Sequence, residues 1–74
     1  MEHIIKKYSN LVYNLAYAKT QNAEHADDIF QEVFLRYIKT KPIFNDNEHE
    51  KAWFIRVTIN CSKSFFSSWW QKTQ

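Results

Sequence analysis

The sequence contains no glycine, whereas average usage of ~7% would place about five in a chain of 74 residues. Phosphate-binding loops, dinucleotide fingerprints and most two-residue hairpin turns require glycine. The absence therefore excludes a P-loop or a Rossmann-type nucleotide site. Proline is almost as scarce, because Pro42 is the only one.

Cysteine and long apolar segments are also scarce. Cys61 is the only cysteine, so no disulfide can form within the chain, and we expect a reducing, intracellular compartment. No apolar run approaches the ~18 residues of a membrane span, and no signal-like stretch follows Met1. We therefore expect a cytoplasmic protein without membrane insertion, built as one small domain over residues 1–74.

Aromatic residues and charge asymmetry are what the sequence does have. Six Phe, four Tyr and three Trp contribute to a hydrophobic content of 45%, which is enough to build a core. Residues 1–50 hold all eight acids and six of the ten bases, a net charge of −2. Residues 51–74 hold four bases and no acid, a net charge of +4. This polarity indicates two different partners.

Apolar spacing predicts three helices and an all-α fold. Residues recur at three- and four-residue steps over about 3–18 and 23–40, and neither proline nor glycine interrupts 48–71. Asn22 is the expected N-cap of the second helix, and Asn47 with Glu50 resembles a capping box for the third. The segment around Pro42 is a predicted loop. The predicted fold is a compact three-helix domain, with one extra short helix as an option.

The polar face of the second predicted helix contains a leucine. The first stripe expected to be buried includes Ile4, Tyr8, Leu11, Leu15 and Ala18, and the second runs from Ala26 to Ile38. Opposite the second stripe, Leu35 lies among acidic and amide side chains. We call the set Asp28, Gln31, Glu32 and Leu35 the Leu35 patch. An apolar centre with a polar rim is typical of a partner site, and a solvated face with one stray leucine is the alternative.

The third predicted helix carries two apolar stripes separated by a polar one. The first stripe includes Trp53, Phe54, Val57 and Cys61, and the second includes Ala52, Ile55 and Ile59. Between them lies what we call the Arg56 strip: Arg56, Asn60, Lys63, Ser64, Ser67 and Gln71. Its positive charge and hydrogen-bonding groups suit phosphate contacts and base-edge readout. The alternative is the solvated edge of a helix that packs between two others.

No catalytic or metal-binding constellation is apparent. The three histidines are scattered, and none lies at i, i+4 from another histidine or cysteine. The acids of the second helix spread over more than half its circumference, so they do not converge on one metal ion. Cys61 shares a face with Val57 and fits a core position better than a nucleophile. We expect no enzyme activity, no metal and no cofactor.

Three motifs in order resemble a known family. They are Val12-Tyr-Asn-Leu-Ala-Tyr17, Ala26-Asp-Asp-Ile-Phe-Gln-Glu-Val-Phe-Leu-Arg36 and Lys51-Ala-Trp-Phe-Ile-Arg-Val-Thr-Ile-Asn60. The chain resembles conserved region 2 of the sigma-70 family of bacterial RNA polymerase sigma factors, in the extracytoplasmic-function (group 4) form. The resemblance runs to about Lys72. Group 4 factors carry a second helical domain, region 4, which this sequence does not include.

The resemblance implies a transcription initiation factor domain. The Leu35 patch would bind the β′ clamp helices of core RNA polymerase. The segment from Ile43 to Glu48, which we call the 43–48 loop, would form a pocket for a base flipped out of the −10 promoter element. Segment 51–57 would take part in melting, and the Arg56 strip would meet promoter bases and phosphates. The implied DNA-binding residues are Phe44, Asn45, Asp46, Asn47, Trp53, Arg56, Asn60, Lys63, Ser64 and Ser67.

Two departures from the family pattern leave an alternative open. The end of the third helix is poor in charge, and the loop region carries Asp46, Glu48 and Glu50, so attraction to phosphates is weak. With few bases the domain should bind DNA weakly and with a shallow salt dependence. The alternative is a protein-interaction module of the same fold, held by an anti-sigma protein, with weak or lost DNA reading.

Overall fold

The computed structural model describes the backbone of residues 2–73 and the side chains of residues 3–64. It contains α1 (Glu2–Thr20), α2 (Ala23–Thr40) and α3 (Asn47–Thr73), and each helix contacts the other two. The prediction of an all-α, three-helix domain is confirmed. The bounds of α2 are those predicted, whereas α1 and α3 extend one or two residues further at their ends. No additional short helix occurs within the described backbone.

Two residues join α1 to α2 without a glycine. Gln21 takes a left-handed conformation with φ of 53°, and its N–H donates to the Tyr17 carbonyl at 2.6 Å. Asn22 is extended, and its side-chain oxygen accepts the N–H of His25 at 3.0 Å. The predicted N-cap is therefore confirmed. The left-handed residue reverses the chain, so α2 can pack back on α1.

The start of α3 differs from the predicted capping box. Asp46, one residue before Asn47, is the N-cap: its Oδ1 accepts the N–H of His49 at 2.7 Å. Its carbonyl accepts the N–H of Glu50 at 3.1 Å. Glu50 does not reach back to the helix start, because its carboxylate binds Tyr8 and Lys7 on α1. The prediction was wrong because aspartate caps as well as asparagine does, and Glu50 finds partners that are distant in sequence.

The core lies where the three helices meet. Its fully or nearly fully buried members are Tyr8, Val12, Ala16, Ala26, Ile29, Val33, Phe34, Phe54 and Cys61. On α1 the buried line runs at four-residue steps, so the predicted stripe is rotated slightly: Ile4, Leu11 and Leu15 are half-buried and Ala18 is exposed. On α2 the predicted stripe holds except at its end, where Ile38 is 38% exposed. The buried position of Cys61 agrees with a core role.

Phe54 is the aromatic centre of the fold. Its ring stacks on Tyr8 of α1, with centroids 4.5 Å apart and planes 18° apart. It also lies 5.5 Å from the rings of Phe34 and Tyr37 on α2. Aromatic pairs in this range contribute about 0.5–1.5 kcal/mol beyond the burial of their area. One fully buried ring therefore joins all three helices.

Two hydroxyl residues of α3 are buried although their types are usually exposed. Thr58 donates its hydroxyl to the Phe54 carbonyl at 2.6 Å, and Ser62 donates to the Thr58 carbonyl at 2.8 Å. These bonds within the helix satisfy the polar atoms. The prediction of two apolar stripes on α3 is only partly right. The buried face includes the polar residues Thr58 and Ser62. In the second predicted stripe Ile55 and Ile59 are half-buried, and Ala52 is exposed.

Candidate protein and nucleic-acid interfaces

The Leu35 patch forms a continuous exposed surface on α2. Asp28, Gln31, Glu32 and Leu35 are spaced at three- and four-residue steps, which places them on one face of the helix, and all four are exposed. Leu35 is 49% exposed, although leucine is usually buried. The predicted members of this patch are therefore together on the surface.

A groove extends the Leu35 patch onto α1. Its volume is about 280 Å³, and Ile5, Phe30, Gln31, Phe34, Leu35 and Ile38 line it. Sequence reasoning did not include Ile5 and Ile38 in the patch. The spacing of Ile38 from Leu35 and Gln31 was a signal that could have identified it, whereas only the packing of α1 on α2 brings Ile5 there.

Glu32 already has a partner within the chain. Its carboxylate lies 3.2 Å from Nε of Arg36, one turn later on α2, and both side chains are about half exposed. An exposed pair with this spacing contributes about 0.2–0.5 kcal/mol. Such a weak pair leaves Glu32 available to a basic partner.

The 43–48 loop is attached to the core by Phe44. This half-buried ring contacts His49, Trp53 and Phe54, with centroid distances of 5.4, 6.0 and 6.5 Å. Phe44 and half-buried Trp53 therefore anchor the loop, so only part of each ring is accessible. Ile43, by contrast, is 89% exposed. Sequence reasoning placed Ile43 in the loop but did not predict that its side chain is exposed. Its position directly after Pro42, in a predicted loop, was the available signal of this exposure.

The predicted span of the 43–48 loop is too long at its end, because Asn47 and Glu48 belong to the first turn of α3. The polar residues of this span are exposed but partly engaged. Asp46 caps α3, Asn45 donates its backbone N–H to Nδ1 of His49 at 3.2 Å, and Asn47 accepts from Lys7 at 3.4 Å. The side chain of Asn45 is exposed. Of the predicted DNA-binding residues in the loop, Asp46 therefore has the clearest structural role.

The Arg56 strip is exposed on α3 wherever its side chains are described. Arg56, Asn60, Lys63 and Ser64 follow one another at steps of four, three and one residues, and all four are exposed. Within the described side chains, neither base forms an ion pair. Ser67 and Gln71, the other predicted members, lie outside the described side chains. An unneutralised positive charge beside an amide remains available to an anionic partner.

Comparison with known proteins decides the family. The family model for sigma-70 region 2 matches residues 4–71, nearly the whole chain. The chain belongs to this family. No curated protein and no solved structure gave a significant match.

As a sigma-70 region 2 domain, the chain has a sigma factor's role in RNA polymerase binding and promoter recognition. Domains of this family are non-enzymatic parts of transcription factors. Among residues 3–64 no cluster of three or more His, Cys, Asp or Glu side chains is placed to hold a metal ion. Burial raises the pKa of the Cys61 thiol, which disfavours the nucleophilic thiolate.

A partly buried cluster of polar side chains links α1 to the first turn of α3 in the region 2 domain. Oε1 of Glu50 accepts the Tyr8 hydroxyl at 2.6 Å and the Lys7 ammonium at 3.0 Å. The hydrogen bond from Tyr8 is the main cause that lowers the pKa of Glu50. Burial raises the pKa of Tyr8, and the bond to Glu50 raises the pKa of Lys7. Sequence reasoning treated Glu50 as a cap and a repulsive loop charge, whereas its charge is compensated within the fold.

The helices, over the part of the chain that the structure describes, do not have the character of membrane spans. Within the described residues, none combines the length and the apolar composition needed to cross a bilayer.

Proposed function

We propose that this domain is region 2 of a group 4 sigma factor and works in the cytoplasm. Its Leu35 patch docks on the β′ clamp helices of core RNA polymerase. Its 43–48 loop and Arg56 strip hold the non-template strand of the −10 element after the duplex opens. An anti-sigma protein that covers these surfaces is a further expected partner. No bond is made or broken by the domain's own side chains.

The observation that carries the proposal is that one small fold presents two exposed surfaces of opposite charge. The Leu35 patch combines two carboxylates with an apolar side chain and an adjoining apolar groove. That chemistry fits a basic helical partner, because salt-sensitive charge pairs orient it while an apolar contact contributes most of the affinity. The Arg56 strip offers charge of the opposite sign without an acid to neutralise it. That chemistry fits nucleic acid.

The mechanism on DNA is stabilisation of an opened strand. Unstacking a base costs a few kcal/mol per step. Contacts made only to the single strand offset that cost and shift the equilibrium toward the melted form. Within the Arg56 strip, Arg56 and Lys63 supply phosphate contacts, and Asn60 supplies an amide for a base edge. Phe44 and Trp53 offer partly accessible aromatic faces for stacking.

A pull-down with the isolated β′ clamp helices tests the docking surface. Reversing two charges, Asp28→Lys with Glu32→Lys, should abolish capture, because like charges would then face a basic partner. Glu48→Lys is the control: it reverses the charge of an exposed acid on α3, away from the Leu35 patch and its groove, and should leave capture intact. Unchanged capture by the double variant would exclude the proposed interface.

Fluorescence titration tests strand recognition. The probe is a strand selected from a random single-stranded library, and its scrambled form is the comparison. Asn60→Ala should reduce the preference for the selected strand, because a base-edge contact contributes about 1–3 kcal/mol of discrimination. Lys39→Gln, an exposed base on α2, is the control and should leave the preference intact.

The alternative is the same fold acting as a protein-interaction module with little DNA reading. It is favoured by the composition around the loop, where Asp46, Glu48 and Glu50 accompany few bases. Equal binding to selected and scrambled strands, together with intact capture by a protein partner, would support the alternative.

A further inference from the structure

His49 connects the 43–48 loop to the first turn of α3 through two hydrogen bonds that run in opposite directions. Its backbone N–H donates to Oδ1 of Asp46 at 2.7 Å. Its ring Nδ1 accepts the backbone N–H of Asn45 at 3.2 Å. The loop therefore caps the helix, and the helix in turn holds the loop. This reciprocity resembles a capping box in which an imidazole replaces the usual carboxylate or amide.

The ring of His49 also packs on the loop's aromatic anchor. It stands perpendicular to Phe44, with centroids 5.4 Å and planes 86° apart. Phe44 in turn contacts Trp53 and the fully buried Phe54. His49 thus contacts both Asn45 and Phe44, two residues that the proposed function assigns to strand binding.

The bond to Asn45 depends on the protonation state of the ring. Nδ1 accepts a hydrogen bond only when the imidazole is neutral and its proton is on Nε2. Protonation would place a second hydrogen donor opposite the Asn45 N–H. It would also place a positive charge in the first turn of α3, where the helix dipole disfavours one. The side chain of His49 is exposed, so water has access to it.

Three acids lie within three residues of His49 along the chain: Asp46, Glu48 and Glu50. Oδ1 of Asp46 is occupied by the backbone N–H of His49 itself, and Oε1 of Glu50 is bound by Tyr8 and by Lys7 of α1. Glu48, beside His49 on the same turn, is exposed to solvent. From α2 the nearest titratable group in the aromatic cluster is Tyr37, which packs on Trp53 and Phe54.

We propose that neutral His49 is a positioning residue that fixes Asn45 and Phe44 of the 43–48 loop for strand binding. Protonation of the ring breaks the bond to the Asn45 N–H and lowers strand affinity. The part of this inference that concerns strand affinity rests on the proposed function. The part that concerns the hydrogen bond between His49 and Asn45 can be tested without any ligand.

The first test measures solvent exchange of the Asn45 amide by NMR, as protection relative to the intrinsic rate, at pH 7.5 and 5.5. Protection should fall about threefold to tenfold at the lower pH, the equilibrium effect of one hydrogen bond. The Ala26 amide, which is bonded to Asn22 in the first turn of α2, serves as the internal reference. Protection of Asn45 that does not change with pH would overturn the proposal.

Two variants distinguish the effect of the Nδ1 acceptor of His49 from the effect of its ring packing on Phe44. His49→Phe keeps an aromatic ring beside Phe44 and removes the acceptor, so Asn45 should be poorly protected at both pH values. His25→Gln is the matched control, because His25 holds the equivalent position after the N-cap of α2. It should retain the pH change of the unmodified chain. Circular dichroism confirms that both variants are folded.

The second test measures strand affinity by fluorescence anisotropy at the same two pH values, with the strand selected above. The unmodified chain and His25→Gln should lose about threefold to tenfold in affinity at pH 5.5. The strand affinity of His49→Phe should already be lower by that factor at pH 7.5 and should change little with pH. A pH change in His49→Phe equal to that of the unmodified chain would refute the positioning role. If no variant binds the strand at either pH, the proposed function fails, and the Asn45 exchange still decides whether His49 holds the loop.

Discussion

Replacing Tyr8 with phenylalanine should weaken the fold more at neutral than at acidic pH. The substitution keeps the ring and its stacking on Phe54, which has centroids 4.5 Å apart, and removes only the hydroxyl that donates to Glu50 at 2.6 Å. Tyr8 is 5% exposed and the Glu50 side chain 14%, so water replaces the lost donor poorly. Tyr8→Phe therefore isolates one hydrogen bond between α1 and α3.

The magnitude follows from the charge of the acceptor. A hydrogen bond to a charged group contributes about 1.5–3 kcal/mol, and a neutral one about 0.5–1.5 kcal/mol. At pH 7 the carboxylate is ionised, so Tyr8→Phe should lower the free energy of unfolding by about 1.5–3 kcal/mol. Since Glu50 retains Lys7 as a partner, we expect a value toward the lower end of that range.

The pH dependence has a definite sign. The pKa of Glu50 in the folded domain lies below its ordinary value of 4.5, chiefly because the Tyr8 hydroxyl donates to the carboxylate. The stability that this bond contributes is therefore complete above about pH 4.5 and is lost as the pH falls through the lower, folded pKa. The difference between the unmodified chain and Tyr8→Phe should shrink toward that of a neutral hydrogen bond as the pH falls through the folded pKa of Glu50.

Urea unfolding followed by circular dichroism measures these differences over a series of pH values, from 7 down to the lowest pH at which the domain stays folded. The set of proteins is the unmodified chain, Tyr8→Phe, Glu50→Gln and the double variant, so that the coupling between the two side chains is obtained directly. Tyr17→Phe, at a tyrosine that is 46% exposed, is the control and should change stability by about 0.5 kcal/mol or less. A cost for Tyr8→Phe that is below about 0.5 kcal/mol at pH 7, or that does not fall across the acidic part of the series, would refute the reasoning.

Three further predictions concern other parts of the domain. Gln21→Gly should raise the free energy of unfolding by about 0.5–1 kcal/mol in thermal unfolding, because glycine adopts the left-handed conformation without strain; a loss would contradict this. Phe54→Ala should cost about 3–5 kcal/mol, which is enough to unfold a marginal domain, and a folded variant with unchanged stability would contradict the central role of this ring. With about two to three phosphate contacts, the logarithm of strand affinity should fall with the logarithm of salt at a slope of about −1.5 to −2. A slope steeper than about −4 would require more basic contacts than the Arg56 strip supplies.

The surfaces were easier to predict than the contacts beneath them. Leu35, Arg56, Asn60 and Lys63 were predicted to be exposed from helical spacing, and they are. The angle of a residue around its own helix depends only on its position in the sequence, so such predictions need no knowledge of neighbours. Whether these residues bind polymerase and promoter DNA stays a prediction.

The errors concern one residue with partners that are distant in sequence and two buried hydroxyl residues. Glu50 was assigned to a local cap because its spacing from Asn47 fits one, but Tyr8 and Lys7 on α1 bind its carboxylate. Thr58 and Ser62 were not recognised as buried because their hydroxyls are satisfied by carbonyls of their own helix, which hydropathy does not register.

The sequence by itself determined the number of helices, the Asn22 cap, the position of the loop and the exposed faces that carry the candidate interfaces. Each of these depends on spacing within a few residues along the chain. Tertiary structure decided which side chains meet across helices: Phe54 at the centre of the core, Ile5 beside Leu35, and Glu50 against Tyr8. The physical reason is that periodicity defines which face of a helix is apolar, whereas the crossing of the helices determines which residues of two faces touch.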